Sequence, residues 1–149
     1  MNRNDVLILP METDDLENMK ENLSTDFDDF WDYTTFKEDF TSTLSKYFVA
    51  KYKDTIIGWT GIKIVFEEAE LMNIVVNRNY RSQMIGSYLL EHIITFCKSS
   101  NLKIINLEVN VKNTIAIDLY KKYNFKQIGL RKKYYHGTED AILMSLDLT

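Results

Sequence analysis

Two residues of this 149-residue chain stand out as candidates to move protons. Glu108 ends an otherwise apolar pattern, Ile104-Ile105-Asn106-Leu107-Glu108-Val109. A carboxylate in such a strand costs free energy unless it is paired or solvated. Buried, it would have the raised pKa that a general base working near neutrality needs. Turned to water, it would be an ordinary strand-end glutamate. Tyr120 shares a helical face with Ala116, Leu119 and Tyr123, which predicts half burial. A phenol with pKa of about 10 can protonate a leaving group; it can equally be a core aromatic with a satisfied hydroxyl. A third feature binds rather than reacts. Within Glu70–Glu91 an apolar strand, Leu71 to Val76, meets a polar turn, Asn77 to Gln83. A helix follows, with Ile85, Leu89, Ile93 and Phe96 on one face. The first turn of a helix has N–H groups without intrahelical partners, and the macrodipole adds partial positive charge there. Arg78 and Arg81 bring full charges to the same turn. This is a cradle for phosphate or pyrophosphate, or else a basic surface connection.

Other candidates carry less chemistry. Asn113 stands where a helix N-cap is expected. His92 and His136 have no second ligand near them in sequence, and the single Cys97 rules out an intrachain disulfide or a cysteine-cluster zinc site. No metal is expected. Cys97 sits among apolar helix residues and reads as a small core residue. Lys132 and Lys133 read as solvated charges.

The elements that must position these groups follow in order. Val6 to Leu9 is a strand closed by Pro10, and Glu12 to Leu23 a helix with Thr13 as its cap. Ser24 to Ser45 is rich in aromatics: Phe27, Phe30, Trp31, Tyr33, Phe36 and Phe40. It reads as a packed helix and loop. Tyr47–Tyr52, Thr55–Phe66 and Ala69–Val76 form an antiparallel meander, and Gly58 and Gly61 predict a bulge or a close backbone approach. A helix from about Gln83 to Ser99, a strand Lys103–Asn110 and a helix Asn113–Tyr123 come next. Strands Phe125–Ile128 and Ala141–Leu148 close the chain, with Arg131–Asp140 part of a hairpin arm. The strand–helix–strand passage implies a parallel pair, with ligand expected at the carboxyl ends of its strands. This is one α/β (α+β) domain spanning 1–149: a mixed sheet, antiparallel at its N-terminal strands, flanked by about four helices. Charged residues make up 27% and the net charge is −4, which argues against a nucleic-acid footprint. No apolar run reaches membrane-span length and no signal-peptide core is seen, so a cytoplasmic location is expected, with no membrane partner.

Arg81-Ser82-Gln83-Met84-Ile85-Gly86 resembles the Arg/Gln-x-x-Gly-x-Gly/Ala loop of the GNAT N-acetyltransferases, which holds the pyrophosphate of acetyl-CoA. Met84 stands where the first glycine is usual. A methionine there is expected to need φ below zero and a side chain turned from the phosphates. Further stretches look like successive signatures of the RimI-type ribosomal-protein-alanine N-acetyltransferases. They are Leu71–Val76, Leu107–Asn113, Ala116–Phe125, Arg131–Tyr135 and Glu139–Met144; Trp31 with Phe36 resembles an earlier one. The resemblance implies a parallel central pair splayed around acetyl-CoA, which serves as co-substrate. It implies Glu108 as proton acceptor and Tyr120 as donor to the departing thiolate. Ile74, Val75 and Val76 would meet the pantetheine and thioester. Arg81, Ser82, Gln83, Met84, Ile85, Gly86 and Ser87 would hold the pyrophosphate, and Asn113 would contact CoA. Tyr134 and Tyr135 would face the acceptor, a peptide or protein N-terminus such as that of a ribosomal protein. The protein is expected to be a monomer or a weak homodimer. The alternatives are a small-molecule amine acetyltransferase of the same fold and a non-catalytic acyl-CoA-binding regulatory module.

Overall fold

The computed structural model describes residues 1–27, 32–135 and 137–149. Its elements are β1 (Val6–Pro10), α1 (Thr13–Met19), α2 (Leu23–Asp26), α3 (Tyr33–Thr41), β2 (Ser45–Tyr52), β3 (Thr55–Val65) and β4 (Glu68–Val76), then α4 (Ile85–Ser99), β5 (Ile104–Asn110), α5 (Thr114–Lys122), β6 (Lys126–Tyr135) and β7 (Glu139–Asp147). The strands form one sheet in the order β1-β2-β3-β4-β5-β7-β6. Every neighbouring pair is antiparallel except β4 and β5, which run parallel. This is the mixed α/β sheet expected from the sequence, and the meander of three strands is β2-β3-β4.

The expected early helix is shorter and interrupted. Its N-cap is Glu12, not Thr13, because the Asp15 carboxylate reaches back to accept the Glu12 N–H at 2.8 Å. The helix gives way to a tight turn at Lys20–Asn22, where Asn22 leaves helical geometry at φ −107 and ψ 2. Asparagine offers the backbone competing hydrogen bonds and ends helices readily. At the other end of the chain, β6 does not stop at Ile128. It runs on to Tyr135 and pairs with β7 as a long hairpin, Arg131 opposite Ala141 and Tyr135 opposite Glu139. The hairpin carries a bulge: Lys133 has φ 52 and its N–H donates to Asp140 Oδ1 at 2.8 Å.

The sheet is covered on both faces. On one, Leu90 and Ile93 of α4 and Ile117 and Tyr120 of α5 pack on Leu71, Leu107 and Val109, while Ile85 and Leu89 of α4 pack on Val6, Ala50 and Ile57. On the other, Leu16, Met19, Phe27 and Phe36 pack on Tyr47, Trp59 and Val75. The aromatic stretch is therefore core where it is described; Phe30 and Trp31 lie outside the described residues. Both strand glycines permit close approaches. A Cβ at Gly58 would stand 2.8 Å from the Val75 carbonyl and 3.3 Å from Leu89 Cδ1, so its absence lets α4 settle on β3. A Cβ at Gly61 would fall 2.3 Å from the Tyr47 ring, which lies across that position. The expected bulge is present too. Gly61 faces Asn73 while Ile62 faces Leu71, so Met72 is the extra residue of β4.

Candidate active site

The parallel pair is joined only at its beginning. Glu68 faces Ile104, Ala69 faces Ile105 and Glu70 faces Asn106; beyond that the strands separate. A cleft of about 620 Å³ opens where they part. Ile74, Val75 and Val76 of β4 form one wall, and Glu108 of β5 with Asn113, Ala116, Leu119 and Tyr120 the other. Arg81, Ser82, Met84, Ile85, Gly86 and Ser87 line one end. The fold thus gathers nearly all the residues singled out above around one space. Arg78 and Gln83 are exposed and do not line it. Tyr134 and Tyr135 belong to β6, but their side chains lie outside the described residues.

The loop before α4 takes its shape from two left-handed residues, Ser82 at φ 63 and Met84 at φ 67. The expectation for Met84 is corrected. Its backbone adopts the left-handed conformation (φ 67, ψ 14) that a glycine would take without cost, and its side chain is 52% exposed. An L-residue pays about 1–2 kcal/mol for that conformation. The geometry of the turn prevails because α4 is anchored from its first residues: Ile85 is buried, and the Tyr88 N–H bonds to the Met84 carbonyl at 3.0 Å. The N–H groups of the first turn of α4 point out of the helix beside Arg81, a donor set suited to an anion. The open β4 edge leads from there into the cleft, a course an extended ligand with an anionic end could follow.

Glu108 and Tyr120 reach the cleft from opposite sides of the sheet. Leu107 and Val109 share a core cluster with Tyr120. Strand alternation therefore turns Glu108 to the other face. Glu108 is neither enclosed in apolar surroundings nor a bare strand-end carboxylate. It is half-buried, and its Oε1 lies 3.0 Å from Nη2 of Arg131 on β6. Tyr120 is more deeply buried than half, at 8% exposure, with its ring centroid 5.7 Å from that of Phe125. Asn113 caps α5 by accepting the Ala116 N–H at 3.2 Å and lines the cleft as well. A carboxylate and a phenol on either side of a gap in a sheet are groups that can exchange protons with a ligand held between them.

Cys97 is fully buried in the core, and burial pushes its thiol up to about 11. It lies outside the cleft and is a poor nucleophile near neutrality. Among the described residues no group of three or more His, Cys, Asp and Glu side chains could hold a metal. A second hollow, of about 680 Å³, is edged by Lys98, Lys122, Lys126 and Asp147 and shares no residue with the cleft. Among the described residues no helix is long and apolar enough to cross a membrane.

Several cleft residues escaped the sequence reading: Met72, Asn73, Tyr80, Asn110 and Ile115. Asn73 alone gave a signal, a polar residue within an apolar strand. The others needed the separation of β4 and β5 to be known.

Comparison with known proteins agrees with this geometry. The family model described as acetyltransferase (GNAT) family matches residues 14–125. A relative from Bacillus subtilis (strain 168), provisionally named a [ribosomal protein bS18]-alanine N-acetyltransferase, is 31% identical over 136 residues, 90% of each chain. The [ribosomal protein bS18]-alanine N-acetyltransferase of Escherichia coli (strain K12) is 38% identical over 90 residues, 58% of this chain and 61% of that one. The crystal structure of the ribosomal-protein-S18-alanine N-acetyltransferase from Escherichia coli superposes with a TM-score of 0.88 at 30% identity, covering 97% of this chain and 94% of the other.

Proposed function

The chain belongs to the acetyltransferase (GNAT) family and is an N-acetyltransferase, and from that premise we propose that it transfers the acetyl group of acetyl-CoA to a protein α-amine. The proposed acceptor is the N-terminal alanine of a small-subunit ribosomal protein. Residues 1–149 are proposed to act as one N-acetyltransferase domain. The observation that carries the reading is the cleft itself. It has the turn with Arg81 and the start of α4 at one end, an open strand edge along one wall, and Glu108 and Tyr120 on either side of the gap. The names of the relatives at 31% and 38% identity support the acceptor class.

The proposed roles follow from position. The loop Arg81–Ser87 holds the pyrophosphate of the donor, and Asn113 contacts it from the start of α5. The edge of β4 at Ile74, Val75 and Val76 hydrogen-bonds the extended pantetheine, and one of its N–H groups steadies the oxyanion of the tetrahedral intermediate. Glu108 takes a proton from the amine, directly or through a water, and Tyr120 gives one to the departing thiolate. The amine attacks the thioester without an acyl-enzyme. An α-amine with pKa of about 8 is roughly a tenth neutral at pH 7, whereas a lysine amine at about 10.4 is about 0.04% neutral. A modest base such as Glu108 therefore suffices. Tyr134 and Tyr135 are proposed to flank the acceptor.

Purified protein with acetyl-CoA and an alanine-initiated peptide should yield peptide acetylated at its α-amine by mass spectrometry. Saturating acetyl-CoA should also raise the melting temperature, since it binds the folded state selectively. A protein that neither shifts nor acetylates the peptide would sink the reading.

A further inference from the structure

Asn73 is the one residue whose described buried side chain leaves polar atoms unpartnered. It is 7% exposed, and among the described residues neither its Oδ1 nor its Nδ2 has a hydrogen-bond partner. The neighbouring Tyr47 phenol gives its proton to Asp39, so the one hydrogen bond it can share with the amide runs from Nδ2 to the phenol oxygen, and Oδ1 still lacks a donor. A buried amide left in this state is costly, and a leucine of similar size would avoid the cost. Asn73 is therefore not there for packing.

Its place in the sheet indicates what it serves. Asn73 lies beside Gly61 and Tyr47 in one row across β4, β3 and β2, on the face covered by α1 and α3. Met72, the extra residue of the bulge, puts it there; without the bulge the strand's alternation would turn Asn73 toward α4. Counting on from Glu70 opposite Asn106, with Met72 as the extra residue, brings Asn73 level with Glu108 across the gap. Both are on the face away from Tyr120. Asn73 also lines the cleft.

We propose that Asn73 is an acceptor-positioning residue: its amide turns into the gap when the acceptor arrives, and Oδ1 accepts one N–H of the α-amine. This rests on the acetyl-transfer reading above. The lone pair of the amine is then aimed at the thioester while Glu108 takes the other proton. The neutral amide matters. A carboxylate at the same place would favour the ammonium form and oppose the loss of its proton. Asparagine orients an N–H without that penalty.

The test uses the full chain, acetyl-CoA and an alanine-initiated peptide. Asn73→Leu should raise KM for the peptide about tenfold or more, with the calorimetric Kd for acetyl-CoA and the melting temperature held or improved. Asn73→Asp should move the pH limb of kcat upward by about one unit, because kcat reports groups in the bound complex. A purely structural side chain would shift neither. Unchanged peptide KM in Asn73→Leu, or an unmoved limb in Asn73→Asp, with the wild type active, overturns the proposal and leaves the acetyltransferase reading intact. If Asn73→Leu fails to fold, the pH profile of Asn73→Asp decides. A wild type that binds acetyl-CoA yet leaves the peptide untouched is a separate failure, that of the acceptor reading.

Discussion

Arg131 Nη2 lies 3.0 Å from Glu108 Oε1, tying the outer strand β6 to the half of β5 that borders the cleft. The guanidinium is 52% exposed and the carboxylate 22%, so solvent screens the pair and it is expected to contribute only about 0–1 kcal/mol. Arg131→Gln should therefore leave urea melts nearly unchanged. A loss above about 2 kcal/mol would mean that the pair clamps the hairpin rather than decorating it.

Glu108→Gln keeps the size and polarity of the side chain and removes its basicity. If Glu108 accepts the proton of the amine, the rate should fall about 10²–10⁴-fold at neutral pH. The deficit should shrink as pH rises past the pKa of the acceptor, where the amine is already neutral. Initial rates across that range check it. A deficit of constant size would assign Glu108 to holding the peptide.

Tyr120→Phe keeps the ring that packs against Phe125 and removes one hydroxyl. If the phenol protonates the thiolate, kcat should fall while acetyl-CoA binding stays near the wild-type value. If the hydroxyl only satisfies a buried partner, stability should fall by about 1–3 kcal/mol and activity only with the folded fraction. Denaturant melts and rates on one preparation separate the two. Full kcat with reduced stability would take Tyr120 out of the mechanism.

Met84→Gly should relieve the left-handed strain at φ 67. About 1–2 kcal/mol of strain is recovered and about 0.5–1 kcal/mol of chain entropy is lost, so a net rise of about 0–1.5 kcal/mol is expected. Little packing is lost from a side chain already 52% exposed. Affinity for acetyl-CoA should hold or tighten in calorimetry. A large loss of affinity would show that the methionine side chain itself touches the donor.

Tyr47 couples the fold to alkaline pH. Burial first, and then the neighbouring Asp39, hold its phenol far above the usual range. Asp39 is in turn paired with Lys63 at 2.8 Å. In the unfolded chain the phenol loses its proton near pH 10, while in the fold it keeps it. Its contribution is therefore whole below about pH 10 and is lost as pH rises above that value. Tyr47→Phe should flatten the fall of stability above about pH 10 in urea melts. Tyr123, raised in the same direction mainly by burial and then by Glu91, leaves a residual slope. An unchanged slope in Tyr47→Phe would remove Tyr47 from the alkaline transition.

By itself the sequence determined what is local. The spacing of Ile85, Leu89 and Ile93 marks the buried face of α4, and Asn113 announces the start of α5. The alternation of Leu107, Glu108 and Val109 separates a core face from the face that carries the carboxylate. These patterns are legible because one residue's neighbours along the chain dictate its side. Tertiary structure decided what depends on pairing between distant segments. The bulge at Met72 turns Asn73 to the face of Glu108, and only the register against β3 reveals it. The left-handed backbone at Met84 comes from anchoring α4 against the sheet, against the preference of the residue itself. Arg131 meets Glu108 because β7 lies between their strands and sets the offset of both. Periodicity records which face a side chain takes, whereas register and splay are set by contacts between segments far apart in the chain, and the cleft is made of these.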